Sequence, residues 1–177
     1  LPERRPEIEP QWTSACASNP KLFDGPILAV TAIDPGSNAI MARPERFSHL
    51  VCAVPGNAQR PTILSVTGVI ESMHNGRRCV LLARRGEQTR SYPGQWEFAP
   101  SGGLHPVAAS TDLAEAHVYA TLRDELWEEA GIDAPLRNRR VVGLGTDPAA
   151  SSVDVVVRAT IDGEAPRITI AGEHAWE

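Results

Sequence analysis

The chain has 177 residues, the size of about one domain, and is 42% hydrophobic and 22% charged, as expected of a globular protein with its own core. Its 17 basic and 22 acidic residues leave a net charge of −5, which argues against a non-specific nucleic-acid partner. No run of about 18 apolar residues occurs, so no membrane-spanning helix and no membrane partner are expected. Lys21 is the lone lysine; the arginine bias reads as genome composition or as phosphate contacts. Cys16, Cys52 and Cys79 are widely spaced, lack metal-ligand spacing, and read as small apolar residues in a reducing, cytoplasmic compartment. The opening LPERRPEIEP is too polar and Pro-rich for a signal peptide, and Leu1 in place of Met suggests a missing N-terminus.

In chain order, residues 1–25 read as loop because Pro2, Pro6, Pro10 and Pro20 punctuate them; Trp12, Leu22 and Phe23 are candidates to pin this arm to the body. PILAVTAI (26–33) and HLVCAV (49–54) read as strands flanked by turn signals. TILSVTGVIES (62–72) and RCVLLARR (78–85) read as two more, joined through an Asn75-Gly76 turn. The stretch 91–106 is rich in Pro, Gly and Ser and reads as loop. A helix is expected over 113–130, capped by Asp112 with Glu115 completing a capping box and Gly131 ending it. Tyr119, Leu122, Leu126 and Ala130 share one side of it. RVVGLG (140–145), SVDVVVRATI (152–161) and RITIA (167–171) complete a mixed α/β pattern.

The chemistry concentrates in Glu125-Leu126-Trp127-Glu128-Glu129-Ala130-Gly131-Ile132. Glu125, Glu128 and Glu129 stand at i, i+3 and i+4, so three carboxylates share a helix face and repel one another. A solvated acidic face satisfies that pattern; so does a hard divalent cation, which takes oxygen ligands and bridges to phosphates. Upstream lie Trp96-Glu97-Phe98 and Gly102-Gly103.

Together these residues resemble the Nudix hydrolase box, whose second half reads Arg-Glu-U-x-Glu-Glu-x-Gly-U with U a bulky aliphatic. From Glu125 to Ile132 the match is complete. The resemblance covers roughly 62–161 and implies a Nudix-like α/β/α sandwich with a mixed sheet. Residues 61–177 would form the hydrolase domain, with 1–60 an N-terminal extension packed on its core. It implies a nucleotide-type substrate hydrolysed with Mg²⁺ or Mn²⁺, with Glu125, Glu128 and Glu129 as catalytic metal ligands and the Gly102 backbone carbonyl as a further ligand. Water attacks one phosphorus, and the cation offsets charge on the bridging oxygen.

The first half of the box departs from the pattern. Gly103 and Glu125 are separated by seven residues more than the family spacing, which places an insert near 105–112. Asp124 stands where the box has Arg, neighbouring Arg123 projects about 100° away on a helix, and the first box Glu falls at Ala116. The run 6–26 and the interrupted box are similar to the UDP-glucose/UDP-galactose diphosphatase branch, which implies cleavage of a UDP-sugar to UMP and sugar 1-phosphate. Hydrolysis of ADP-ribose or a nucleoside triphosphate, and a nucleotide-binding module without catalysis, stay open. Candidate substrate contacts are Arg84, Arg85, Gly103, His105 and Trp96, the last read first as core packing beside the box and second as a stacking surface for a base. His117 lies at the edge of the glutamate face, and Glu173 and His174 occupy the region of a late acid or base. The chain finishes just after a strand, so a homodimer, or further chain beyond Glu177, is expected to cover a sheet face.

Overall fold

The computed structural model describes residues 2–20, 22–52, 60–87, 89, 91–107, 114–168 and, for the backbone alone, 174–176. The N-terminal arm is helical rather than loop: a 3-10 turn, Pro6–Ile8, leads into helix α1, Glu9–Ser18. Pro6 and Pro10 fall in first turns, where a missing N–H costs nothing. Ile8 and Trp12, four apart, are buried with Cys52 in a small second core, with Leu22, Phe47 and Val51 packed on it. Phe23, 77% exposed, plays no pinning part. Asp24 ties the arm down instead, accepting from Arg4 Nε at 3.0 Å and from the Ser48 N–H at 2.8 Å.

Strand β1, Pro26–Asp34, pairs antiparallel with β2, Ala39–Arg46. The sequence reading missed β2 because Pro44 and its charges suit only an edge strand, which is its position here. The run expected as a strand at 49–54 instead contributes to helix α2, Phe47–Val51; residues 53 and 54 lie outside the described residues. Strand β3, Ile63–His74, and β4, Arg77–Arg84, form the expected hairpin, with positive φ at Asn75 (51°) and Gly76 (74°). Within the stretch read as loop lie two short strands, β5 (Trp96–Phe98) on β4 and β6 (Ser101–Gly103) on β3.

Helix α3, Glu115–Ala130, starts two residues later than expected. Its N-cap is Ala114, which makes no side-chain cap, and Asp112 lies outside the described residues. Glu115 is therefore not a capping-box partner; its carboxylate accepts from the Tyr119 hydroxyl. Gly131 closes the helix in the left-handed conformation, φ 65°, as expected. Strand β7, Arg137–Asp147, runs antiparallel to β8, Ser152–Glu164, and β8 runs parallel to β3. Residues 167 and 168 are irregular where a strand was expected, and the rest of that run lies outside the described residues. The backbone of β9, His174–Trp176, pairs with β4.

The result is a mixed sheet centred on β3. Alternation along β3 and β8 sends Leu64, Val66, Val153, Val155 and Val157 into the core, with Leu122 and Leu126 of α3 in the same cluster. The opposite face, carrying Ile63, Ser65, Thr67, Ser152 and Asp154, lines an open cleft.

Candidate active site

The glutamates sit where α3 meets β6. Val118, Leu122, Leu126 and Ala130, repeating every four residues, fix the helix's buried stripe. Glu125 and Glu129 fall on the flank of that stripe and are half-buried; Glu128 and Trp127 point to solvent. Gly102 makes the close approach possible: a Cβ built there would overlap the Glu125 carboxylate. One turn on, Glu129 Oε2 accepts from the Ser101 N–H at 3.2 Å.

These positions cost energy without a counter-charge. Burial, then the charge of Glu128, holds the Glu125 carboxyl above the ordinary glutamate range, with His105 pulling the other way. Burial pushes Glu129 up to about 7, reinforced by Glu125 and Glu97 and opposed by the Ser101 N–H and Arg85.

The open face of β3 and β8 floors a cleft of about 1000 Å³ that reaches Ser101, Gly102 and Gly103. One wall is apolar, built from Leu22, Phe47, Leu50 and Val51 of the N-terminal region. Its charged lining, among the described residues, is Arg85 against Glu87, Glu97, Asp147 and Asp154.

The expected substrate residues divide. Gly103 and Arg85 line the cleft. Arg85 is engaged, donating to Ser91 O at 2.8 Å and to both Glu97 oxygens at 2.9 and 2.8 Å. Arg84 points to the loop, donating to Gly94 O at 2.9 Å and to Glu87 at 3.3 Å. Trp96 is 53% exposed, so it is no core residue, and it is not among the cleft lining. His105 is exposed, its Nδ1 2.9 Å from Pro26 O, while His117 Nε2 lies 3.2 Å from His105 O. Arg123 pairs with Asp124 at 2.7 Å on the exposed helix face. Glu173 and the His174 side chain lie outside the described residues.

Sequence reasoning missed the wall supplied by α2 and the strap at 91–94, where the Tyr92 hydroxyl donates to Asp147 at 2.9 Å, both residues lining the cleft. The Tyr-Pro-Gly turn was the available signal for the strap.

The NUDIX domain model matches residues 62–175. The chain belongs to the NUDIX domain family. No curated protein matches it. Among solved structures, the NUDIX domain of Shewanella oneidensis NrtR, crystallised with ADP ribose, is 22% identical over 72% of this chain and 79% of that one, with TM-score 0.47. The C-terminal domain of mouse MUTYH, solved with human PCNA, is 27% identical over 64% of this chain and 71% of that one, also at 0.47. DR0079 of Deinococcus radiodurans is 12% identical over 85% and 82%, at 0.49. None of these matches supports the UDP-sugar branch.

A divalent cation is the group this family implies. Among the described residues, no three His, Cys, Asp or Glu side chains converge as a ready-made metal cage. The fit is of another kind. Glu125 and Glu129 offer hard oxygen donors, half-buried and held up in pKa, beside backbone that no side chain obstructs. Mg²⁺ is usually held by one or two carboxylates, with waters and substrate phosphates completing the octahedron. The residues present suit that partial site.

Proposed function

We propose that this NUDIX protein is a divalent-cation-dependent pyrophosphohydrolase of nucleoside diphosphate-linked substrates. The observation that carries the reading is the pair of half-buried carboxylates, Glu125 and Glu129, seated against Gly102 and Ser101 at one end of the cleft. Glu125 and Glu129 would hold the cation with the Gly102 carbonyl, and exposed Glu128 would add its charge. When bound, the cation supplies the positive charge that lets a pyrophosphate enter an acid-lined cleft and stabilises charge on the departing oxygen. The Ser101 N–H orients Glu129, and the Gly102 surface orients Glu125. The ion pair of Arg85 with Glu97 braces β4 against β5 beside them. The apolar wall sheds water from whatever ring lies against it. In the reaction, water adds to one phosphorus and the P–O bond to the bridging oxygen breaks. The electron pair leaves with that oxygen, giving two phosphate monoesters from a diphosphate diester.

The narrower form, UDP-sugar to UMP and sugar 1-phosphate, enters the test as one substrate beside ADP-ribose and nucleoside triphosphates. The assay is phosphate release after added phosphatase, with Mg²⁺ or Mn²⁺. Turnover that needs the cation and falls at least 100-fold in Glu129→Gln is expected. Turnover unchanged in that variant, or absent across the panel with either cation, overturns the proposal in favour of a binding module.

A further inference from the structure

The cleft floor carries a polar network that the glutamate site does not use. Three hydroxyls converge on Asp154: Ser65 donates to Oδ1 at 2.8 Å, Thr67 to Oδ1 at 3.3 Å, and Ser152 to Oδ2 at 2.8 Å. All four residues line the cleft. An ionised carboxylate has about four lone-pair positions. Three are taken, and the fourth, on Oδ2, has no partner among the described residues. Ser65 Oγ also lies 3.5 Å from Val153 O, but Asp154 is its nearer acceptor, so each hydroxyl directs its single proton at Asp154 and offers the cleft only lone pairs. The floor is therefore acceptor-only, and it is anionic.

That composition excludes a phosphate and selects a hydrogen-bond donor. Register places the donor subsite relative to the glutamate site: Ser65 pairs with Asp154 on one side and with Gly103 on the other. Asp154 is thus two strand spacings, roughly 10 Å, from the backbone beside the carboxylates. A diphosphate at Gly102 and Gly103 would leave its nucleoside lying across Ser65 toward Asp154. The neighbours suit a flat ring more than a hydroxylated sugar. Ile63 is next on the same face of β3, and Phe47 and Val51 stand in the wall.

We infer that Asp154, with Ser65, Thr67 and Ser152 around it, is a specificity-determining site that reads the exocyclic amino group of a nucleobase. Adenine, cytosine and guanine carry such a donor. Uracil presents a carbonyl where cytosine has its amino group, and its one ring donor, N3–H, sits between two carbonyls whose lone pairs would face those of the floor. The inference ranks uracil nucleotides last, against the expectation drawn from the branch resemblance. It rests on the hydrolase reading only for the placement of the phosphates.

The test uses nucleosides without phosphate, so neither cation nor turnover enters. Cytidine, adenosine and uridine, with identical riboses, are titrated against the 177-residue protein by ligand-observed NMR. Cytidine and adenosine are expected to bind at least ten-fold more tightly than uridine. Asp154→Asn, which puts an amide donor in the acceptor's place, should abolish that preference. Thr67→Val, a milder change of similar shape, should narrow it to a few-fold and serves if the first variant does not fold. Equal binding of cytidine and uridine, no binding of any nucleoside, or a preference that a folded variant keeps overturns the inference. So does a lowered melting temperature with the preference intact, which would make Asp154 a strand tie alone. An amino-base preference in a protein without turnover would sink the hydrolase reading and leave this one standing.

Discussion

Glu129→Gln should make the metal-free protein more stable at alkaline pH while removing activity. The Glu129 carboxyl sits at about 7 in the fold, against 4.5 for an ordinary glutamate, chiefly because burial disfavours its charge. A group raised on folding binds its proton more tightly in the native state than in the unfolded chain. Between those values the native state holds more protons, so stability falls as pH rises through the window, and the penalty is complete above about 7. The gap of about 2.5 units corresponds to about 3 kcal/mol at 1.36 kcal/mol per unit. Gln keeps the shape and an oxygen for the Ser101 N–H but carries no charge. In EDTA the variant should match the parent near pH 5 and exceed it at pH 8 by 1–3 kcal/mol, about 2–12 °C in melting temperature at this chain length. Thermal unfolding followed by circular dichroism across that range measures it. Mg²⁺ should raise the parent's midpoint at pH 8 and leave the variant's nearly unchanged, because a ligand stabilises only the state that binds it. Parallel pH profiles for parent and variant would refute the reasoning, since they would mean that Glu129 is not charged at a cost in this site.

Gly102→Ala should displace the Glu125 carboxylate, because the added Cβ has no space; we expect at least a ten-fold loss of kcat/KM with a higher Mg²⁺ requirement, read from metal titrations of turnover. Arg158 donates twice to Glu71, at 2.9 and 2.8 Å, and holds its carboxyl below the ordinary range. That stabilisation is present above the unfolded pKa and is lost as pH falls through the folded one. Arg158→Gln should therefore lower stability at pH 7 and flatten the acid limb of the urea-unfolding profile. Trp12→Ala should cost about 3–5 kcal/mol by emptying the small N-terminal core. Because Leu22, Phe47 and Val51 belong both to that core and to the cleft wall, nucleoside binding should weaken with it in the same NMR titration.

The parts legible in the sequence are those set by near neighbours in the chain. The α3 stripe, its end at Gly131 and the Asn75-Gly76 hairpin each need only a few residues of context, and the glutamate spacing follows from the helix period. What escaped reading depended on distant partners. Pro6 and Pro10 hid α1 because their cost depends on falling in a first turn, which Ile8 and Trp12 decide by burying against Cys52. His49-Leu50-Val51 looks like strand but folds into a helix that packs on the same small core. The polar face of Ser152-Val153-Asp154-Val155 shows plain alternation, yet its meaning depends on β8 lying parallel to β3 in a register that sets Asp154 beside Ser65. A parallel pairing between strands 89 positions apart leaves no local mark.

The loss of the box arginine is where sequence and structure have to be weighed together. Asp124 puts a negative charge where the motif has a positive one, and Arg123 spends itself on Asp124 at 2.7 Å on the exposed face, away from the buried flank. Neither Asp124 nor Arg123 therefore steadies the glutamates. The fold steadies them from other elements: the Ser101 N–H on β6 holds Glu129, Arg85 at the end of β4 opposes the rise in its pKa, and His105 does the same for Glu125. These groups stand on strands and loops anchored by the core, so their placement does not require the motif's own charge. They offset only part of the cost of burial and of the repulsion, since both carboxyls remain above the ordinary range. The remainder is the electrostatic demand that a bound cation would answer, and on the proposed function it is what lets the second half of the box act without the first.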